Sequence, residues 1–263
     1  MNSAKRSVDK ANKLLARAWA SMGLPFDALK IDEAKDGIID VEALVMTTLL
    51  VMGKDRLATD LPAWLSHFTD LVNHQKLRSL WTGLPPKHRN QVEQNLRAAP
   101  FTCTPAAFKD IFGLFGKPTV EEDRRIKSRI SRLNSVEHVA QSSRMIRNRL
   151  LYGTGFRADL VTLLQVKSLR LNARQMGKIL CASDSTISRI LSDLRACRFL
   201  DQHNQMRDIS ETLPGVFLSS YSLWNLAELL DAQEFRQKEL EFAALENLDL
   251  RFDGFCKEIM FLP

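Results

Sequence analysis

The apolar positions of the chain recur at the spacing of amphipathic α-helices, and β-branched runs are few. The first ~115 residues indicate several short helices, because glycine and proline interrupt the pattern at GLPFD, TGLPPKH and AAPFTCTP. The longest apolar run, ALVMTTLLVMG at 43–53, is too short to cross a bilayer and predicts a buried helix. The sequence therefore predicts a mainly α fold.

A second section begins after FGLFGKPTV. Its apolar spacing from Ile126 to Ile146 suits one or two amphipathic helices with an arginine-rich outer face, so that 119–152 is interpreted as a basic linking helix. Two interpretations of Arg144, Arg147 and Arg149 stay open at this point. They contact phosphate beside a DNA-binding domain, or they form a solvated face with local ion pairs.

A three-helix pattern follows between 156 and 198. FRADLVTLLQVKSL predicts the first helix, and NARQMGKILCAS predicts a short second helix with Asn172 as N-cap and Gln175 as its capping-box partner. After the small-residue turn CASD, Ser183 is a good N-cap for the third helix. The third helix collects its apolar side chains on one face: Ile187, Ile190, Leu191, Leu194 and Cys197. Three helices with a short middle one favour a helix-turn-helix arrangement.

RFLDQHNQMRDIS predicts a two-stranded wing, with Phe199 and Leu200 before a polar tip and a basic return. From RADLV to MRDIS the chain resembles a winged helix-turn-helix domain of the MarR- or ArsR-like bacterial regulator type. The resemblance implies a DNA-binding fold with a small β-wing. The predicted organisation is an N-terminal helical domain (1–118), the linking helix (119–152), a winged helix-turn-helix (153–212) and a C-terminal helical segment (213–263) with a helix near 223–248.

The distribution of charge supports a polyanion-binding region. The net charge is +6, to which residues 121–209 contribute +8 and residues 210–263 contribute −6. A basic middle segment beside an acidic tail favours one anion-binding surface over a uniformly basic one. Composition, at 45% hydrophobic and 26% charged, is that of an ordinary soluble protein.

The third helix carries the predicted base contacts. A major groove admits one α-helix, and polar or arginine side chains near its N-terminus reach base edges. Ser185, Thr186, Ser188 and Arg189 hold those positions, and Arg189 suits a guanine edge. Phosphate contacts are predicted for Arg174, Lys178 and Arg195, and contacts with an adjacent minor groove or the DNA backbone for Gln202, Asn204 and Arg207 on the wing, 199–209. Asp184 and Asp193 oppose this interpretation, since carboxylates repel phosphate.

The segment RLLYGTGFRADLV fits the pattern G-x-G-x-x-A. A dinucleotide-binding loop needs a buried strand before the glycines and an acidic residue about 20 positions later. SSRMIRNRL is instead polar and helical, and NARQMGK contains no acid. We therefore predict that Gly153 and Gly155 join two helices, ending the first in a left-handed conformation.

No other motif indicates chemistry. The five histidines form no H-E-x-x-H, the four cysteines form no C-x-x-C, and Walker A, G-x-S-x-G and kinase signatures are absent. We predict no cofactor, no metal and no enzymatic activity, and expect Cys181 and Cys197 in helix cores. No secretory h-region follows the basic N-terminus, so a cytoplasmic protein without membrane contact is expected.

The leading hypothesis is a sequence-specific double-stranded DNA-binding protein, a transcriptional regulator that acts as a homodimer on two half-sites. The alternative is an adaptor or antitoxin-like protein whose N-terminal domain holds a protein partner. The acidic tail and the large N-terminal domain without visible chemistry motivate the alternative. An enzyme, with groups brought together only by the fold, ranks third.

Overall fold

The computed structural model of the chain describes residues 14–25, 37–51, 57–166, 171–197, 199–200 and 217–218. Within these ranges the fold is mainly helical, as predicted. The helices in chain order are α1 (14–21), α2 (Val41–Val51), α3 (Leu57–His67), α4 (His74–Gly83), α5 (Pro86–Ala98), α6 (Ala106–Phe112), α7 (Val120–Ile130), α8 (Val136–Ser142), α9 (Arg144–Tyr152), α10 (Phe156–Leu164), α11 (Ala173–Leu180) and α12 (Asp184–Ala196). Thr69–Leu71 and Phe101–Cys103 form short 3-10 helices.

Two short strands, β1 (Ile38–Ile39) and β2 (Phe217–Leu218), pair in parallel, with Ile38 opposite Phe217. The backbone just before β1 also contacts the start of α9. The Gly37 amide donates to the Ser142 carbonyl at 2.9 Å, and the Gly37 carbonyl accepts from the Arg144 amide at 2.8 Å. The predicted C-terminal helix near 223–248 lies outside the described residues.

Prolines and caps set the helix boundaries between 73 and 113. The Asn73 side chain caps α4 by accepting from the Lys76 amide at 3.1 Å. Proline occupies the first position of α5, where its missing N–H costs nothing. Pro105 precedes α6, and Gly113 ends α6 in the left-handed region at φ 62°. The interruptions predicted at TGLPPKH and AAPFTCTP are confirmed.

The main core lies among α1–α6 and receives side chains from α8 and α9. Helix α2 is buried around its whole circumference from Val41 to Leu50, which confirms the buried helix predicted for the longest apolar run. Two indole N–H groups inside the core are paired. Trp19 Nε1 donates to Thr48 Oγ1 at 2.8 Å, and Trp64 Nε1 donates to the Met22 carbonyl at 2.6 Å.

The prediction of a basic linking helix over 119–152 is wrong in its form. Three separate helices, α7, α8 and α9, occupy this segment, and Thr119, Ser135 and Ser143 cap them in turn. Helix α7 packs against α3. Val139 of α8 and Ile146 of α9 belong to the main core. The segment is therefore part of the folded core rather than a connector.

Arg149 is the centre of a buried ionic cluster. Its guanidinium makes a two-bond pair with Glu42 at 2.8 and 2.7 Å and another with Asp159 at 2.8 and 2.8 Å. Its remaining N–H donates to the Leu71 carbonyl at 2.6 Å. All five guanidinium donors are thus satisfied, although the side chain is completely buried.

Lys76 is the second cation of the cluster. Its Nζ lies 2.6 Å from Asp40 Oδ2, 3.2 Å from Asp159 Oδ2 and 3.8 Å from Glu42 Oε2. We define the ionic cluster as Asp40, Glu42, Lys76, Arg149 and Asp159. Its three carboxylates and two cations come from α2 and the residue before it, α4, α9 and α10. The cluster therefore joins the main core to α10, the helix that follows the loop at 153–155, which we call the glycine loop.

Burial and charge act against each other on the acids of the cluster. Burial raises the pKa of Glu42 above its ordinary value, despite the opposing charges of Arg149 and Lys76. Burial alone would also raise the pKa of Asp159. The charges of Arg149 and Lys76 more than offset burial, so the pKa of Asp159 is lowered.

The cations are held in their charged forms. Burial alone would lower the pKa of Lys76, yet the three neighbouring carboxylates hold it above its ordinary value of 10.5. The pKa of Arg149 is raised for the same reason, by Asp159 and Glu42.

Removing one partner of a buried ion pair leaves an uncompensated charge and costs about 3–5 kcal/mol. We expect Arg149→Met to lower the free energy of unfolding by about that amount in urea denaturation, because Glu42 and Asp159 lose their donors. Arg97→Met, which changes an exposed arginine of α5, is the control and should change stability by less than about 0.5 kcal/mol. Equal effects of the two variants would contradict a special role of the cluster.

The raised pKa of Lys76 also predicts how stability depends on alkaline pH. Above pH 10.5 the unfolded chain loses the Lys76 proton while the folded chain keeps it, so the folded state becomes less stable as the pH rises. The stability of the parent protein should therefore fall more steeply above pH 10.5 than that of Lys76→Met, with a difference approaching about 1.4 kcal/mol per pH unit. Parallel pH–stability curves would refute this coupling.

Candidate nucleic-acid interface

Helices α10, α11 and α12 pack around a second, smaller core and form what we call the three-helix unit (156–196). Met176, Ile179 and Leu180 of α11 are buried, and so are four of the five apolar side chains predicted for α12. The buried set comprises Leu160, Val161, Leu163, Met176, Ile179, Leu180, Ile187, Ile190, Leu191 and Leu194. The apolar face predicted for α12 is therefore largely confirmed.

The predicted caps of α11 and α12 are also confirmed. Asn172 Oδ1 accepts from the Gln175 amide at 2.9 Å, and Gln175 Oε1 accepts from the Asn172 amide at 2.8 Å. Ser183 Oγ accepts from the Thr186 amide at 3.2 Å and so caps α12. Between the two helices, Cys181 adopts the left-handed conformation at φ 54°, ψ 40°. That conformation turns the chain within three residues.

Gly177 allows the turn to approach α11 closely. A Cβ on this residue would lie 2.8 Å from the Ala182 carbonyl oxygen and 3.1 Å from Asp184 Oδ1. The Gly177 carbonyl accepts from the Ala182 amide at 2.9 Å, which fixes the same contact. Backbone approach at Gly177 therefore sets the relative position of α11 and α12.

The structure places the predicted base-contacting residues on the outer side of the first turns of α12. Ser185, Ser188 and Arg189 are exposed, and Thr186 is half-buried. Arg189 makes no hydrogen bond or ion pair with any residue that the structure describes, so its guanidinium is available. The hydroxyls of Ser185 and Thr186 lie 2.9 and 2.8 Å from Ser183 Oγ, so they share the capping network.

The other predicted DNA-contacting residues lie on α11, at the end of α12 and on the predicted wing. Arg174 and Lys178 are exposed one turn apart on α11, and Arg195 is exposed at the end of α12. Gln202, Asn204 and Arg207 lie outside the described residues. Of the predicted wing, only the first two positions are described: Phe199 is exposed and Leu200 is buried against the core of the three-helix unit.

The two acids of α12 differ in their surroundings. Asp193 Oδ2 accepts from Arg157 Nη2 of α10 at 2.7 Å, so its charge is balanced within the unit. Asp184 occupies the first turn of α12, where a negative charge is stabilised by the positive end of the helix dipole. Asp193 therefore opposes a polyanion less than its sequence position suggested.

Two predictions about arginine and cysteine are wrong. Arg144 and Arg149 are buried, so neither contacts a phosphate nor belongs to a solvated face, whereas Arg147 is exposed. Cys197 is exposed because α12 ends at Ala196 and its apolar face ends with Leu194. Cys181 is half-buried and packs against the main core.

One signal in the sequence pointed to the burial of Arg149. Met145 and Ile146 lie four and three positions before it, which places all three residues on one face of α9. Arginine on an apolar face is paired when buried, but the partners here are 107 and 10 residues away. Periodicity alone does not locate partners at such separations.

The glycine loop joins α9 to α10, and a helix rather than a strand precedes it. The prediction of a connector is therefore confirmed. Its detail is not, because Gly153 has φ 80° with ψ 156°, outside the left-handed helical region, and Gly155 is extended. The Thr154 hydroxyl donates to the Asp70 carbonyl, which ties the loop to the main core.

Comparison with family models, with curated proteins and with solved structures finds no match to this chain. In the part of the chain that the structure describes, no helix combines the length and the apolar character needed to span a membrane. Over the same ranges, no three histidine, cysteine or acidic side chains are placed to hold a metal ion.

The contact at Gly177 leads to a stability prediction. Alanine normally stabilises a helix interior relative to glycine by about 1 kcal/mol. We expect the opposite at this position, since the new methyl group would press on the Ala182 carbonyl, and Gly177→Ala should destabilise the protein by about 1–3 kcal/mol in urea denaturation. Gly155→Ala is the control, because Gly155 has extended backbone and open space at its Cβ position. A Gly177→Ala variant as stable as Gly155→Ala would exclude the close approach.

Proposed function

We propose that the protein binds double-stranded DNA sequence-specifically and regulates transcription, with α12 in the major groove. One observation carries the proposal: the first two turns of α12 present exposed Ser185, Ser188 and Arg189 directly above a buried apolar underside. A helix of this kind is slim enough for the major groove and rigid enough to direct side chains to base edges.

Two further features support the proposal. Lys178 lies in the last turn of α11, before the turn into α12, and Arg174 lies one turn earlier; both would meet phosphates flanking the groove. The positive end of the α12 dipole also favours an anion, although Ser183 already caps the Thr186 amide and Asp184 lies in the same turn. In this proposal the base contacts from α12 give sequence specificity, and the phosphate contacts from α11 give affinity for any sequence.

The proposal also includes the type of DNA-binding domain and the oligomeric state of the protein. The short α11, the tight turn and α12 fit a helix-turn-helix, and the segment 199–209 would supply the wing of a MarR- or ArsR-like domain. One such domain reads few base pairs, so a homodimer on two half-sites is the expected active form.

We expect Arg189→Ala to weaken binding to the preferred DNA sequence by about 1–3 kcal/mol and to relax base preference at one position. The DNA site would first be selected from a randomised duplex library, and binding would then be measured by gel-shift titration. Arg97→Ala, which removes an exposed arginine from α5, is the control and should bind as the parent does. Unchanged affinity and preference in Arg189→Ala would reject α12 as the reading helix.

Lys178→Ala separates phosphate contacts from base contacts. We expect weaker binding to every sequence alike and a decrease of about one in the slope of log affinity against log salt concentration. Loss of affinity for the selected sequence alone would contradict a phosphate contact.

A second function, the binding of a protein partner, is favoured by one observation. Leu150, Leu151 and Tyr152 at the end of α9 are 50, 70 and 39% exposed, respectively, and form a consecutive apolar patch. This patch suits an adaptor or antitoxin-like role, and it would serve equally in the proposed homodimer. Purification from the native host distinguishes the functions: a stoichiometric protein partner without DNA affinity above background would support the adaptor.

A further inference from the structure

A groove rich in arginine lies between α3 and α7, apart from the three-helix unit. Its volume is about 520 Å³, and it is lined by Thr59, Glu121, Arg124, Arg125, Ser128, Arg129 and Arg132. Four arginines, two hydroxyl-bearing residues and one acid, Glu121, thus line one space. The opposite side of α7 is anchored by buried Ile126, so the helix that carries the arginines is held in place.

The four arginines are unequally compensated. Arg125 Nε pairs with Glu121 at 3.0 Å, and Arg129 Nη1 lies 3.3 Å from buried Asp60. Arg124 and Arg132 have no hydrogen-bond or ion-pair partner among the residues that the structure describes. Arg129 is therefore positioned by a fixed carboxylate, while Arg124 and Arg132 leave the groove with a net positive charge.

The lining also defines the chemistry of an occupant. None of the seven lining residues is aromatic, so a nucleobase could stack only on a guanidinium plane. Guanidinium and hydroxyl groups instead match phosphate oxygens, which arginine binds through two parallel hydrogen bonds.

We infer that the α3–α7 groove binds the phosphodiester backbone of duplex DNA without regard to sequence. The inference deepens the proposed function, since it gives the N-terminal part of the chain a share in DNA affinity. Sequence preference would come from α12 and a separate electrostatic contribution from α7. The two sites involve different helices, so either can be tested while the other is intact.

The test uses the full-length double variant Arg124→Ala/Arg132→Ala and a 30-base-pair duplex of arbitrary sequence. Affinity is measured by fluorescence anisotropy at several salt concentrations. Loss of two phosphate contacts should lower the slope of log affinity against log salt concentration by about two. The matched control is Arg97→Ala/Lys127→Ala, which removes the same net charge from exposed positions outside the groove; Lys127 is paired with Asp123 instead. The control should lower the slope much less, and thermal melting verifies that both variants fold.

Equal slopes in the groove variant and the control would overturn the inference, because bulk charge alone would then explain binding. A groove variant that loses affinity for tripolyphosphate in calorimetry but not for the duplex would also overturn it, in favour of a small phosphate ligand. If Arg189→Ala has no effect while the groove variant loses slope, the inference holds and the proposed reading helix fails. The reverse result leaves the reading helix and removes the groove.

Discussion

The arrangement of this protein depends on how one guanidinium is satisfied in a dry interior. An isolated charge inside a protein costs several kcal/mol, and attraction to a partner offsets that cost only when geometry and hydrogen bonding are complete. Arg149 meets this requirement through Glu42, Asp159 and the Leu71 carbonyl. These partners come from separate parts of the chain, so their positions become mutually dependent once Arg149 is buried.

The cluster also explains why the helix after the glycine loop belongs to two structures at once. Leu160 and Leu163 of α10 pack into the core of the three-helix unit, whereas Asp159 points into the ionic cluster. Asn148 of α9 adds hydrogen bonds to Thr162 and to Gln165, both at 2.9 Å. The surface that presents Arg189 is thus built on a helix whose other side is fixed by polar contacts to the main core.

Local patterns in the sequence were sufficient for much of this architecture. The caps at Asn172 and Ser183 and the apolar side of α12 up to Leu194 depend on residues within a few positions of each other, and the structure agrees with them. Burial of Arg149 depends on Glu42, which is 107 residues distant, and one sequence carries no signal for such a pair. The prediction for Cys197 was wrong because the apolar periodicity of the sequence continues beyond Ala196, the residue at which α12 ends. The groove between α3 and α7 likewise requires knowledge of which helices are neighbours.

The position of Asp159 has a consequence for any attempt to isolate the three-helix unit. A fragment that starts at Gly153 would retain Asp159 but lose both of its cations, since Lys76 and Arg149 lie earlier in the chain. The Asp159 carboxylate, whose charge two cations balance in the intact protein, would become a solvent-facing acid on α10. The remaining part would in turn hold a guanidinium deprived of one of its two acids. The glycine loop is therefore not a boundary between two structurally independent parts of the chain.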